Sequence, residues 1–70
     1  MGVSYKKLWK MLIDKDLTKT QFAKLADISP MTLAKLGKNE DVSMKILQKM
    51  CKTLECDIGD IVEYVPDDEG

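Results

Sequence analysis

Residues 18–37 read TKTQFAKLADISPMTLAKLG, and the signals within this stretch decide the fold. Thr18 stands three residues before Gln21, the spacing of a capping box, in which each side chain satisfies a backbone N–H of the other residue. Phe22, Ala23, Leu25 and Ala26 supply the apolar positions of the helix that follows, so the spacing predicts a two-turn helix over about 19–26. Asp27-Ile28-Ser29 interrupts it. Asp accepts the left-handed backbone that a tight inter-helix turn needs. Ser29 before Pro30 is a start signal, with a hydroxyl at the N-cap and proline at the first helical position. A second short helix is predicted over about 30–36, with Gly37 placed to end it. Two short helices joined this tightly form a helix-turn-helix unit. Ile28, Leu33 and Leu36 are spaced to point inward, which leaves Pro30, Met31, Thr32, Ala34 and Lys35 on the outer side.

Such a pair cannot stand alone and must be braced by the flanking chain. Tyr5, Leu8, Trp9 and Leu12 follow the i, i+3, i+4, i+7 rhythm of one helix face, and Ser4 is a reasonable N-cap. A first helix is expected over about 4–15, with the polar Asp14-Lys15-Asp16 ending it. Beyond the unit, Lys38 to Val42 read as a polar loop, and Ser43 caps a further helix to about residue 54. Its inward stripe is Ile46, Leu47, Met50, Cys51 and Leu54. Asp57 opens a short helix carrying Ile58, Ile61 and Val62, although Val62-Glu63-Tyr64-Val65 can also be read as extended. Residues 66–70, Pro-Asp-Asp-Glu-Gly, read as a disordered acidic tail. The expected architecture is all-α, a compact four- to five-helix bundle forming one domain over residues 1–65.

Seventy residues leave little core for an enclosed active site. The chain has no His, which removes the commonest general base and metal ligand. Cys51 and Cys56 are too few for a disulfide framework and read as reduced, partly buried thiols. With no Gly-rich phosphate loop and no ligand cluster, enzyme chemistry, a metal, a cofactor and a small-molecule ligand are all unexpected. No apolar run approaches the roughly 20 residues needed to span a bilayer, and the amino terminus has no signal core, so a cytoplasmic location is expected. The net charge of −1 hides an asymmetry. Residues 1–52 hold all eleven lysines against five acids, a balance of +6, whereas residues 53–70 hold seven acids and no lysine. The predicted helix over 30–36 contains no acid and nothing bulky outside, as a rod entering a major groove about 12 Å wide requires.

The run from Thr20 to Leu36 resembles the helix-turn-helix core of the Cro/C1-type (Xre-like) regulators of bacteria and phages. The stretches Asn39 to Ser43 and Ile46 to Ile61 are similar to the short, stand-alone branch of that family, so the likeness covers about residues 4–65. Asp27 stands where the family usually has Gly, and the chain has no arginine at all. The resemblance implies a lambda-repressor-like fold and double-stranded DNA binding as a transcriptional regulator, with the second helix of the unit in the major groove. Carried over position by position, it implies base reading by Pro30, Met31, Thr32 and Lys35. In this role Lys35 would donate to guanine O6/N7, Thr32 would hydrogen-bond or meet a thymine methyl, and Met31 would make apolar contact. Phosphate contacts are implied at Thr18, Lys19, Thr20 and Gln21, where a helix amino end favours an anion, and at Ser29, Lys38 and Asn39. Capping is the competing role for Thr18 and Ser29.

One such module buries limited surface on DNA, so two copies are expected, reading half-sites about 34 Å apart. Ile58, Ile61, Val62, Tyr64 and Val65 exceed what so small a core absorbs and form the expected homodimer interface. A helical protein-interaction module (an antitoxin-like partner), using the acidic C-terminal segment, is the alternative function.

Overall fold

A computed structural model describes residues 2–66. Its elements are a strand β1 (Gly2–Ser4), helices α1 (Lys6–Asp14), α2 (Lys19–Ala26), α3 (Pro30–Gly37) and α4 (Met44–Leu54), a single 3₁₀ turn (Ile58–Asp60) and a strand β2 (Glu63–Val65). β1 and β2 pair antiparallel, with Gly2 opposite Val65, Val3 opposite Tyr64 and Ser4 opposite Glu63. The core sits between the helices. Tyr5, Leu8 and Leu12 come from the first helical segment, Phe22, Ala23 and Ala26 from α2, and Ile28 from the turn. Leu36 from α3, Met50 and Leu54 from α4, and Ile61 close it. Leu33 and Trp9, expected within the core, are half-buried and pack against its margin.

The local signals that start α2, α3 and α4 agree with the structure. Thr18 Oγ1 accepts from the Gln21 N–H at 3.0 Å and Gln21 Oε1 from the Thr18 N–H at 2.9 Å, the reciprocal pair that starts α2. Ser29 and Ser43 cap α3 and α4 through their hydroxyls. All four helices end alike, with a left-handed non-glycine residue: Asp16, Asp27, Asn39 and Glu55, at φ between 54° and 59°. The next N–H then reaches back five residues, Leu17 to the Leu12 carbonyl, Ile28 to Ala23, Glu40 to Lys35 and Cys56 to Cys51. This closure satisfies otherwise orphaned carbonyls and turns the chain sharply, which is how eight-residue helices fit side by side.

Five expectations are corrected. The domain is not purely helical, because the ribbon joins its two ends. Ser4 belongs to β1, so α1 begins at Lys6 rather than at Ser4; the Tyr5 N–H is met from across the fold by Asn39 Oδ1 at 3.2 Å. The expected fifth helix is one 3₁₀ turn, in which the Asp60 and Ile61 N–H groups reach back three residues to the Asp57 and Ile58 carbonyls, and residues 63–65 are taken by the ribbon. Gly37 is the last residue of α3 rather than its left-handed cap, that conformation falling at Asn39. Leu25, assigned with the apolar positions of α2, is 64% exposed, because the helical rotation that buries Phe22 and Ala26 carries it to the outside. Of the expected acidic tail, residues 67–70 lie outside the described residues.

Candidate nucleic-acid interface

α2 and α3 are joined by Asp27-Ile28-Ser29 alone. Asp27 takes the left-handed conformation that the turn needs, and Ile28 plugs into the core directly after it. Lys49 of α4 reaches over to the turn, its Nζ donating to the Asp27 carbonyl oxygen at 3.3 Å. With Leu36 fully buried beneath α3, the unit is held from below by packing and from the side by this lysine.

The outer side of α3 is open. Pro30, Met31, Ala34 and Lys35 are exposed, Met31 at 74%. Thr32 is half-buried, and its Oγ1 lies 3.1 Å from the Ser29 hydroxyl, while its N–H donates to Ser29 Oγ at 3.2 Å. Ser29 is therefore committed as a cap, and it also fixes the rotamer of Thr32. No acidic side chain lies on this face of α3.

At the amino end of α2 the capping box occupies the side chains of Thr18 and Gln21 with each other. The Lys19 and Thr20 N–H groups have no acceptor inside the helix by its geometry, and both side chains are exposed. Lys19 does more than point outward: its Nζ sits 4.4 Å above the centroid of the Trp9 ring. Sequence reasoning missed this contact, because Trp9 reads as a core position and nothing local connects it to a lysine ten residues on. Lys38 is exposed just past α3. Asn39 is exposed too, but its side-chain oxygen Oδ1 is spent on the Tyr5 N–H, and the Tyr5 hydroxyl donates to the Glu40 backbone carbonyl at 2.8 Å.

The residues expected at a homodimer interface separate. Ile61 is fully buried in the core of its own chain and offers no surface to a partner. Ile58 and Val62 are half-buried, and Val62 packs against the core. Tyr64 and Val65 on β2 are exposed, at 66% and 39%.

Cys51 and Cys56 are both free and half-buried. Burial and the neighbouring Cys51 push the Cys56 thiol up to about 11. Burial, with Asp41 adding to it, also raises Tyr5 above its ordinary value. Among the described residues, no group of three or more Cys, Asp or Glu side chains is placed to hold a metal ion, and no helix is long and apolar enough to cross a membrane.

Comparison with known proteins agrees with this geometry. The Cro/C1-type HTH DNA-binding domain matches residues 7–67. An uncharacterized HTH-type transcriptional regulator, YozG of Bacillus subtilis (strain 168), is 33% identical over 61 residues, covering 84% of this chain and 73% of the relative. The crystal structure of the transcriptional regulator VanUg superposes with a TM-score of 0.91 at 50% identity, covering 94% of this chain and 88% of the other. On the match across nearly its whole length and on the α2-turn-α3 geometry, the chain belongs to the Cro/C1-type helix-turn-helix DNA-binding domain family.

Proposed function

We propose that this chain is a small transcriptional regulator that reads double-stranded DNA by laying α3 in the major groove. The observation that carries the reading is the outer side of α3, exposed and free of acids over a buried Leu36. In this reading Lys35 donates to guanine O6/N7, Met31 meets thymine methyls, and Thr32, oriented by Ser29, contributes a hydroxyl; Pro30 lies at the edge of the same surface. Lys19, Thr20 and Lys38 take phosphates. Thr18, Gln21, Ser29 and Asn39 act mainly by holding the backbone that presents them.

The working form is a homodimer in the cytoplasm, with Tyr64 and Val65 at its centre and Ile58 and Val62 at the margin, so that two α3 helices meet half-sites about 34 Å apart. Selection of bound sites from random duplex DNA tests both parts. A two-fold symmetric site supports the dimer, and an unsymmetric one counts against it. Salt titration separates this function from a pure protein-interaction module: neutralising four to six phosphates per subunit gives a slope of about −0.9 per phosphate. Absence of duplex binding at about 50 mM salt would favour the interaction module.

A further inference from the structure

We propose that Trp9 is a positioning residue for DNA binding, its indole face holding the Lys19 ammonium ready for a backbone phosphate at the amino end of α2. This role rests on the DNA-binding reading above, and it adds a residue from α1, outside the helix-turn-helix unit, to the binding machinery.

Three observations carry it. The Lys19 Nζ lies 4.4 Å from the Trp9 centroid, within the range in which a ring quadrupole attracts a cation. Trp9 is half-buried against the core, so its ring is a fixed platform rather than a second mobile side chain. Finally, the first turn of α2 contains no acid, and the capping box has already consumed Thr18 and Gln21. What the helix end offers an anion is therefore the Lys19 and Thr20 N–H groups and the Lys19 ammonium. An unrestrained lysine loses rotamer freedom when it grips a phosphate. A ring that holds the ammonium beside the helix end removes part of that loss before DNA arrives. An aliphatic side chain of similar bulk would fill the space but leave the ammonium free.

The test uses the whole chain, a DNA duplex carrying the site it selects, and the variants Trp9→Phe, Trp9→Leu, Lys19→Met and Lys35→Ala. In the free protein, the Lys19 ε-methylene protons should be shifted upfield by the ring current in wild type and Trp9→Phe, and unshifted in Trp9→Leu. On DNA, Trp9→Leu should bind about two- to fivefold more weakly, Trp9→Phe should stay near wild type, and Lys19→Met should lower the salt slope by about 0.9. Trp9→Leu combined with Lys19→Met should bind no more weakly than Lys19→Met alone. Thermal unfolding of each variant shows whether a loss comes from misfolding, and the ring-current shift stands even if Trp9→Leu is destabilised. An unshifted Lys19 in wild type, equal binding by Trp9→Phe and Trp9→Leu, or additive losses in the double variant would each overturn the positioning role. If wild type binds no duplex, the DNA-binding reading itself falls. If Lys35→Ala weakens binding while Trp9→Leu and Lys19→Met do not, this inference alone falls.

Discussion

The Lys49 ammonium of α4 lies 3.3 Å from the Asp27 carbonyl oxygen and 3.7 Å from its carboxylate, so one cation serves both the end of α2 and the left-handed residue of the turn. The Asp27 side chain is 96% exposed, which makes the ion pair itself weak; the contact with the helix end contributes more. Lys49→Met should cost about 0.5 kcal/mol, seen as a fall of about 3 °C in Tm. Lys49→Arg should keep most of the stability.

Glu55 ends α4 in the left-handed conformation, where a β-carbon is costly and no packing compensates. Glu55→Gly should raise stability by about 0.5–1 kcal/mol and Tm by about 5 °C. Chemical denaturation with an unchanged m-value would show that the gain belongs to the folded state. A loss of stability would mean that the carboxylate has a partner that outweighs the backbone strain.

Asn39 joins α3 to the start of α1 through the Tyr5 N–H. Asn39→Gly keeps the left-handed backbone accessible and removes only the cap, so it should cost about 1 kcal/mol. Asn39→Ala adds the conformational penalty and should cost about 2 kcal/mol. Both should bind DNA with an unaltered salt slope once compared at temperatures where they are folded.

Lys35 and Lys38 are both exposed lysines near one end of α3, yet their expected phenotypes differ. Lys35→Ala should relax base preference at one position of the selected site. Lys38→Ala should weaken all sequences alike and shrink the salt slope by about 0.9. The reverse pattern, read by competition between specific and mixed duplexes, would exchange the two roles.

Cys56 is held protonated by burial and by Cys51, up to about 11, against an ordinary thiol near 9.0. The unfolded thiol ionises first as the pH rises, so the stabilisation present below about pH 9 is lost between about 9 and 11. Unfolding measured across that range should fall more steeply for wild type than for Cys56→Ala, with Tyr5 adding its own decline at the alkaline end. Alkylation at pH 8 should be slow compared with a free thiol.

Much of this fold was legible in the sequence because the deciding signals are local. Thr18 with Gln21, Ser29 with Pro30, and Ser43 each act within one helical turn, and they set the starts of α2, α3 and α4 where they are found. The extended reading of Val62 to Val65 is met by β2, but β1 and the pairing were not legible: strands of three residues carry no period, and Gly2 meets Val65 only through the finished fold. Ile61 reads as surplus in the sequence because only the turn over Ile58–Asp60 brings it inward. Leu25 looked internal because four apolar residues fall on a helix with room inside for three of them. The outer face of α3 could be read from composition, since an apolar brace and an acid-free remainder separate cleanly there. The Trp9–Lys19 contact could not, because it joins two helices through a turn whose path no single residue dictates.

Pairing Gly2 with Val65 makes the domain behave as a closed loop. Contacts so distant along the chain carry a large loop-closure cost, and they couple opening of β1 to opening of β2. Shortening either strand should therefore loosen both, uncovering the half-buried Val3 and Val62 together and lowering the cooperativity of unfolding. Gly2 and Val65 face each other across the ribbon, so a donor and acceptor dye pair placed at those two residues would report its closure directly.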